Sequence, residues 1–324
     1  MCVPMPVLLG VYWQRIHANT LETQNHQHRT SNQQLEPLFN NSSSLARFQS
    51  RTKNQLSVDS FLTIAKLIEK NNAQPIESKL DDLQISAMKE IITSNSFDVK
   101  PAHISALDVS MNWSVETIVP VLRVFCVALL NESLNRILCS TESTHEMASK
   151  RNETIWRLKV LLLSDPPNSV RVLCCGALGN AAAHESGKEL LMTEISTLSK
   201  LIAIQLSVNN DSLQIAAASA LCNFARLLFL KTESDKFAML LSRRNVLEVI
   251  LSVTEKVDSF RSFPSVALIR LLRAIATLMW GNATVIGLAK NRGILSIVNK
   301  IKDCVSDDAV KAACRDIIEM VHSV

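Results

Sequence analysis

From Asp59 to the C-terminus, apolar residues recur at intervals of three and four, the spacing of one helix face. Nowhere do they alternate as a half-buried strand requires. In DSFLTIAKLIEKN, Phe61, Ile64, Ala65 and Ile68 fall on one side, and Asp59 is the expected N-cap. Helices are predicted next over KLDDLQISAMKEIITS, PAHISALDVSM and VPVLRVFCVALLNE, where Pro120 suits a first turn. Another, over roughly 146–163, ends before Pro166 and Pro167. SVRVLCCGALGNAAAH, GKELLMTEISTLSKLIAIQL, SLQIAAASALCNFARLLFL and a helix over about 235–257 follow. The chain closes with VALIRLLRAIATLMWG, TVIGLAKNRG, ILSIVNKIKDC and DAVKAACRDIIEMVH. Gly293 after Lys290 and Arg292 reads as a helix C-terminus, and Asp307 or Ser306 as the last N-cap.

Residues 1–54 break this pattern. TQNHQHRTSNQQLEPLFNNSSS holds too few apolar positions to offset the entropy of ordering, so a disordered polar tail is expected there. By contrast, IAAASALCNFARLLFL and RVLCCGALGNAAA are apolar around most of their circumference and must lie between neighbours. Stacked layers provide such places, and a repeat supports them. Ala177-Leu178-Gly179-Asn180 returns as Ala220-Leu221-Cys222-Asn223, 43 residues on, inside the ~40–47 range of armadillo and HEAT units. Ala274-Ile275-Ala276-Thr277-Leu278 is a third, diverged copy. The expected fold is all-α: an armadillo-like α-solenoid, a right-handed superhelix of helical repeats, behind a disordered N-terminal tail.

Composition narrows the chemistry. The chain has only seven glycines in 324 residues, where ~7% is usual. None forms a GxGxxG or GKS/GKT loop, which argues against nucleotide binding of that kind. A formal charge of +4 is too small to imply nucleic acid. Eight cysteines are scattered, without CxxC or paired secretory spacing, and read as buried, reduced hydrophobes of an intracellular protein. His17, His26 and His28 have no cysteine or carboxylate array beside them and read as tail, so neither metal nor cofactor is expected. No apolar run reaches the ~18 residues of a membrane span. The opening MCVPMPVLLGVYW lacks a basic lead and is broken by Pro4 and Pro6, a poor signal peptide.

SVRVLCCGALGNAAAHESGKELL, NNDSLQIAAASALCNFARLLF, and ALIRLLRAIATLM followed by VIGLAKNRGI resemble, in that order, the PUL domain. Upstream, VETIVPVLRVFCVALLN resembles its proline-opened, leucine-rich helix, and DAVKAACRDIIEM resembles its last helix. The resemblance covers about residues 55–324. PUL domains occur in Doa/Lub-type ubiquitin adaptors of the phospholipase A(2)-activating group and in some desumoylating isopeptidases. The resemblance implies an armadillo-like superhelix without enzymatic activity, acting in the ubiquitin–proteasome pathway of cytoplasm and nucleus. It also implies a partner, the acidic C-terminal tail of a hexameric valosin-containing-protein-type AAA+ ATPase, held in a basic groove. The propeller and ubiquitin-binding domain that precede the module in those adaptors cannot fit in 54 polar residues. The chain is therefore expected to be the PUL domain alone, with ubiquitin reached only through domains absent here.

Candidate groove residues follow from the repeat. An asparagine amide offers a donor and an acceptor to the backbone of an extended peptide, and Asn180 and Asn223 stand where armadillo repeats use it. They could equally cap or bridge neighbouring helices. Arg226 lies one turn after Asn223, and Arg270 and Arg273 share a face of the next repeat. An arginine fork can hold a carboxylate through two bonds. Arg270 matches the arginine usual in that PUL segment, whereas Gly176 replaces one, with His184 a turn after Asn180 as a partial substitute. Arg171 points elsewhere on its helix. Nuclear-import-type receptors place a tryptophan where Gly176 and Ser219 stand, so a basic peptide is the lesser expectation. Trp113, Trp156 and Trp280 are read as packing residues. Cys174 and Cys175, near His184, are the only feature suggesting an isopeptidase-like Cys–His pair, and no setting lowers either thiol.

Overall fold

The helical period of the apolar positions is realised throughout the residues that the computed structural model describes, 45–94, 97–140, 148–230, 236–257 and 259–323. Among these there are fourteen α-helices and no strand. They are α1 (Leu45–Asn72), α2 (Asp82–Thr93), α3 (Pro101–Met111), α4 (Val119–Ala128), α5 (Glu132–Cys139), α6 (Ala148–Leu163) and α7 (Asn168–Ala181). Then come α8 (Glu185–Ala203), α9 (Asp211–Leu230), α10 (Lys236–Glu255), α11 (Ser265–Met279), α12 (Ala283–Asn291), α13 (Ile294–Cys304) and α14 (Asp308–His322). Two units divide between Val109 and Ser110. Of the tail, residues 1–44 lie outside the described residues.

In the first unit, Asp81 and Gln84 form a reciprocal capping box at α2, with bonds of 2.7 and 3.0 Å. Asn71, fully buried, uses both ends of its amide on Leu80: Nδ2 donates to the carbonyl at 3.0 Å, and Oδ1 accepts from the N–H at 2.7 Å. This turns the chain back and sets which stripe of α1 is covered, namely Thr63, Leu67 and Asn71. The expected face is thereby corrected. Phe61 is 72% exposed, and Asp59 lies inside α1, its carbonyl accepting from Thr63 Oγ1 at 2.8 Å rather than capping a terminus. Buried His103 accepts the Lys100 N–H on Nδ1 at 2.9 Å, so Nε2 bears the hydrogen and donates to Glu90 at 3.1 Å.

The second unit is built of two rows. In the first row, α4, α7, α9, α11 and α14 pack each on the next; in the second, α5, α8, α10 and α12 do the same. Helices α7 and α9 are covered on nearly every side, as their all-round apolar character requires. Among the described residues α9 alone is long and apolar enough to cross a membrane, contrary to the count of apolar runs above; most of it is buried between α7 and α11. Trp113 is buried as expected, but Trp156 is 58% exposed, because it stands on the open side of α6.

Buried polar side chains join the two rows. Asn135 donates to Leu129 O at 2.9 Å and Ala181 O at 3.2 Å and accepts from Gly187 N at 3.0 Å. Gly187 therefore lies in the first turn of α8, pressed on the end of α7. A Cβ there would come 1.9 Å from Ala181 O. Arg243, only 3% exposed, donates to Thr277 O, Leu278 O and Trp280 O at 3.3, 2.9 and 2.7 Å. These are last-turn carbonyls of α11, which carry partial negative charge and have no donor within their own helix. Outside the two rows, half-buried Arg157 of α6 donates to Met111 O and Trp113 O.

Two glycines should respond in opposite ways to alanine. Gly187→Ala must displace backbone and is expected to destabilise the chain by about 1–3 kcal/mol. Gly287, inside α12 with nothing within 4 Å of an added Cβ, should gain roughly 0.5–1 kcal/mol on the same change. Urea unfolding of both variants reads the difference, and a Gly187→Ala midpoint at or above wild type would contradict the close approach.

Candidate functional site

Neighbouring helices of the first row are cross-linked by one side chain at each of three interfaces. Asn180 on α7 donates through Nδ2 to Cys126 O of α4 at 2.9 Å. Asn223 on α9 donates to Gly179 O of α7 at 3.0 Å. The helices come close there because Gly179 has no side chain, and a Cβ would already touch Ala220 Cα at 3.4 Å. At the third interface Arg270 on α11 donates through Nη1 to Ser219 Oγ of α9, and the Ser219 hydroxyl donates to Ile215 O. Both asparagines are half-buried, and their amide N–H groups serve as helix bridges. His184 stands at the N-cap of α8 and donates through Nε2 to Leu130 O at 2.8 Å, which ties it to the corner after α4 rather than to the arginines.

Arg226, Arg270 and Arg273 do come together. All three act on one thiol, Cys222 on α9: burial pushes that thiol up, and the positive charges of Arg273, Arg270 and Arg226 pull it down. Burial in turn lowers Arg226 below the usual guanidinium value. It lowers Arg270 as well, and there the like charge of Arg273 adds to the effect. Among the described residues no carboxylate pairs with any of the three. Arg273 is exposed, while Arg226 and Arg270 are half-buried. A guanidinium stripped of water and left without a counter-charge is held at a cost that an anion would offset. The arrangement can thus receive carboxylates between α9 and α11.

Two residues of this row of helices were not singled out from sequence as site residues. Arg123 is half-buried on α4, close enough for its charge to act on Cys126, and its signal was a lone charge within VPVLRVFC. Ser219 holds Arg270; its signal was its place one turn before Asn223. At the position where an arginine was expected, Gly176 is buried within α7. Arg171 is tied to the preceding turn, pairing with Asp165 and donating to Pro166 O at 2.8 Å. Asp165 is in the left-handed region at φ 52°, a conformation aspartate tolerates better than most residues.

Three further thiols are governed by burial. Cys126 and Cys175 are pushed up to about 12 by burial, and Cys174 is raised well above the ordinary thiol range by the same cause. Among the described residues no group of histidines, cysteines and carboxylates could hold a metal ion.

Comparison with known proteins gives a consistent frame. The family model of the PUL domain matches residues 59–316. The ubiquitin fusion degradation protein 3 homolog of Caenorhabditis elegans is 38% identical over 266 residues, 81% of this chain and 30% of that protein. The phospholipase A-2-activating protein of Xenopus laevis is 26% identical over 263 residues, 80% of this chain and 30% of that protein. The chain thus spans about 30% of the length of these relatives. A solved structure of an engineered protein is 15% identical with a TM-score of 0.34, covering 75% of this chain and 97% of its own.

Because a buried, protonated thiol is a poor nucleophile, Cys174 and Cys175 are expected to stay unmodified when the folded chain is treated with a mild thiol reagent and mapped by mass spectrometry. They should react once urea unfolds the protein. Labelling in the native state as fast as at half-exposed Cys304 would show that one of them has reactive character.

Proposed function

This chain belongs to the PUL domain family, and on that premise we propose that it is a non-enzymatic protein-interaction module of the ubiquitin–proteasome pathway. Its ligand is the acidic C-terminal tail of a hexameric valosin-containing-protein-type AAA+ ATPase. The observation that carries this reading is the cluster of Arg226, Arg270 and Arg273 on α9 and α11, the first two half-buried and none paired with a carboxylate among the described residues. An acidic peptide with a free terminal carboxylate supplies what the cluster lacks, and arginine holds it in a planar, two-bonded geometry. Asn180 and Asn223 lie along the same row of helices and extend the face that an extended peptide would follow, with His184 at its far corner. The module acts in cytoplasm and nucleus, where such an ATPase is available, and takes neither nucleic acid nor membrane as partner. The name of one relative, a ubiquitin fusion degradation protein 3 homolog, supports the pathway. Binding of ubiquitin itself is assigned to the parts of such proteins that lie outside the matched region.

Fluorescence anisotropy of a labelled ATPase-tail peptide, titrated against the full chain, tests the assignment. Arg270→Ala is expected to weaken binding about 10- to 100-fold, the loss of a charge-assisted bond. Raising salt should weaken wild-type binding, since part of the face is open to solvent. A basic peptide of equal length should bind at least tenfold more weakly. Equal affinity of wild type and Arg270→Ala, or no binding of the acidic peptide at low salt, would remove the groove from consideration.

A further inference from the structure

We infer that Ser219 is a positioning residue for Arg270, fixing the guanidinium so that its remaining N–H groups face an acidic ligand; this rests on the reading of the arginine cluster given above. The hydroxyl of Ser219 has one proton and two acceptor sites. That proton is donated to Ile215 O within the same helix, which turns the oxygen lone pairs outward, and Arg270 Nη1 donates to that oxygen from the neighbouring helix.

The geometry distinguishes this contact from the two others in the row. At Asn180 and Asn223 the amide N–H groups donate to main-chain carbonyls, Cys126 O and Gly179 O. A guanidinium has five N–H groups in a rigid plane, so the bond to Ser219 engages one edge and orients the rest. Free rotation of a long side chain is an entropic loss on binding, and a side chain already held in place avoids much of it. Arg270 also stands in the field of Arg273, whose like charge would drive an untethered side chain outward into water. The neutral hydroxyl holds it in place without cancelling the charge, as a carboxylate at residue 219 would. Small size matters as well. Ser219 sits one turn before Asn223 on a helix whose flanking residues Ala218 and Ala220 are fully buried, leaving room for the guanidinium between α9 and α11.

The test is a double-mutant cycle on the full chain with the acidic tail peptide as probe. Ser219→Ala is expected to lower affinity about threefold to tenfold, and Ser219→Thr, which keeps the hydroxyl, to restore most of it. In an Arg270→Ala background, Ser219→Ala should change nothing further. The same loss in both backgrounds, or wild-type affinity in Ser219→Ala, would overturn the assignment. A second measurement needs no ligand: nitrogen-15 NMR of the Arg270 Nε–Hε group in the free protein. Slow rotation about its Cζ–Nε bond is expected in wild type and Ser219→Thr and should be lost in Ser219→Ala. Should wild type fail to bind the peptide, the groove reading falls, and the Ser219 assignment is decided by this signal, an unchanged Arg270 resonance in Ser219→Ala refuting it.

Discussion

A polar side chain enclosed between helices must find acceptors that the helices themselves leave available, and this requirement organises the second unit. A helical carbonyl already bonded within its own helix has a second lone pair, and the carbonyls of a last turn have two. Asn135, Asn180, Asn223, Arg157 and Arg243 all place donors on such oxygens. Because each donor reaches a main-chain atom of another segment, it fixes the axial offset between segments, which apolar packing alone leaves loose. The packing of α7, α9 and α11 supplies the driving force of burial, and the polar contacts select one register out of several that would bury similar area.

That register brings three arginines on two helices around a single thiol. None of the three has a carboxylate among the described residues, so the structure tolerates a local excess of positive charge on one face of the stack. The chain carries thirty acidic residues against thirty-four basic ones, Lys+Arg 34 and Asp+Glu 30. Several basic residues elsewhere are paired: Lys159 with Glu194 at 3.1 Å, Lys100 with Glu90 at 3.3 Å, and Arg292 with Glu248. What sets the α9–α11 face apart is that two of its unpaired guanidinium groups, Arg226 and Arg270, are half-buried.

Much of this was legible in residue order. Periodicity marked the helices, Asp307 and Gly293 ended them where expected, with Gly293 at φ 73°, and the 43-residue return of Ala-Leu-x-Asn located two of the three cross-links. What stayed illegible depended on distant partners. Arg243 and Arg244 are adjacent and chemically identical, yet the first is buried and the second exposed, because only the first meets the end of α11. The constraint on Gly187 is the carbonyl of Ala181, visible only once α7 and α8 are packed. Phe61 had the spacing of a core residue, but α1 turns the stripe of Thr63, Leu67 and Asn71 inward, a choice made by the bond of Asn71 to Leu80. The arginine cluster was read as a set of candidates; that it encloses Cys222 and lacks counter-charges required coordinates.

The grip of Arg243 on α11 carries a mechanical meaning. That helix is anchored at its C-terminal end from the second row and near its middle from α9, through Arg270 and Ser219. A beam held at two points transmits a push applied at one of them to the other. The inner side of α10, at Arg243, is therefore connected to the arginine face by a helical element a few turns long. Tuning of that face, whether by inherited variation or by a partner leaning on the second row, need not touch the face at all.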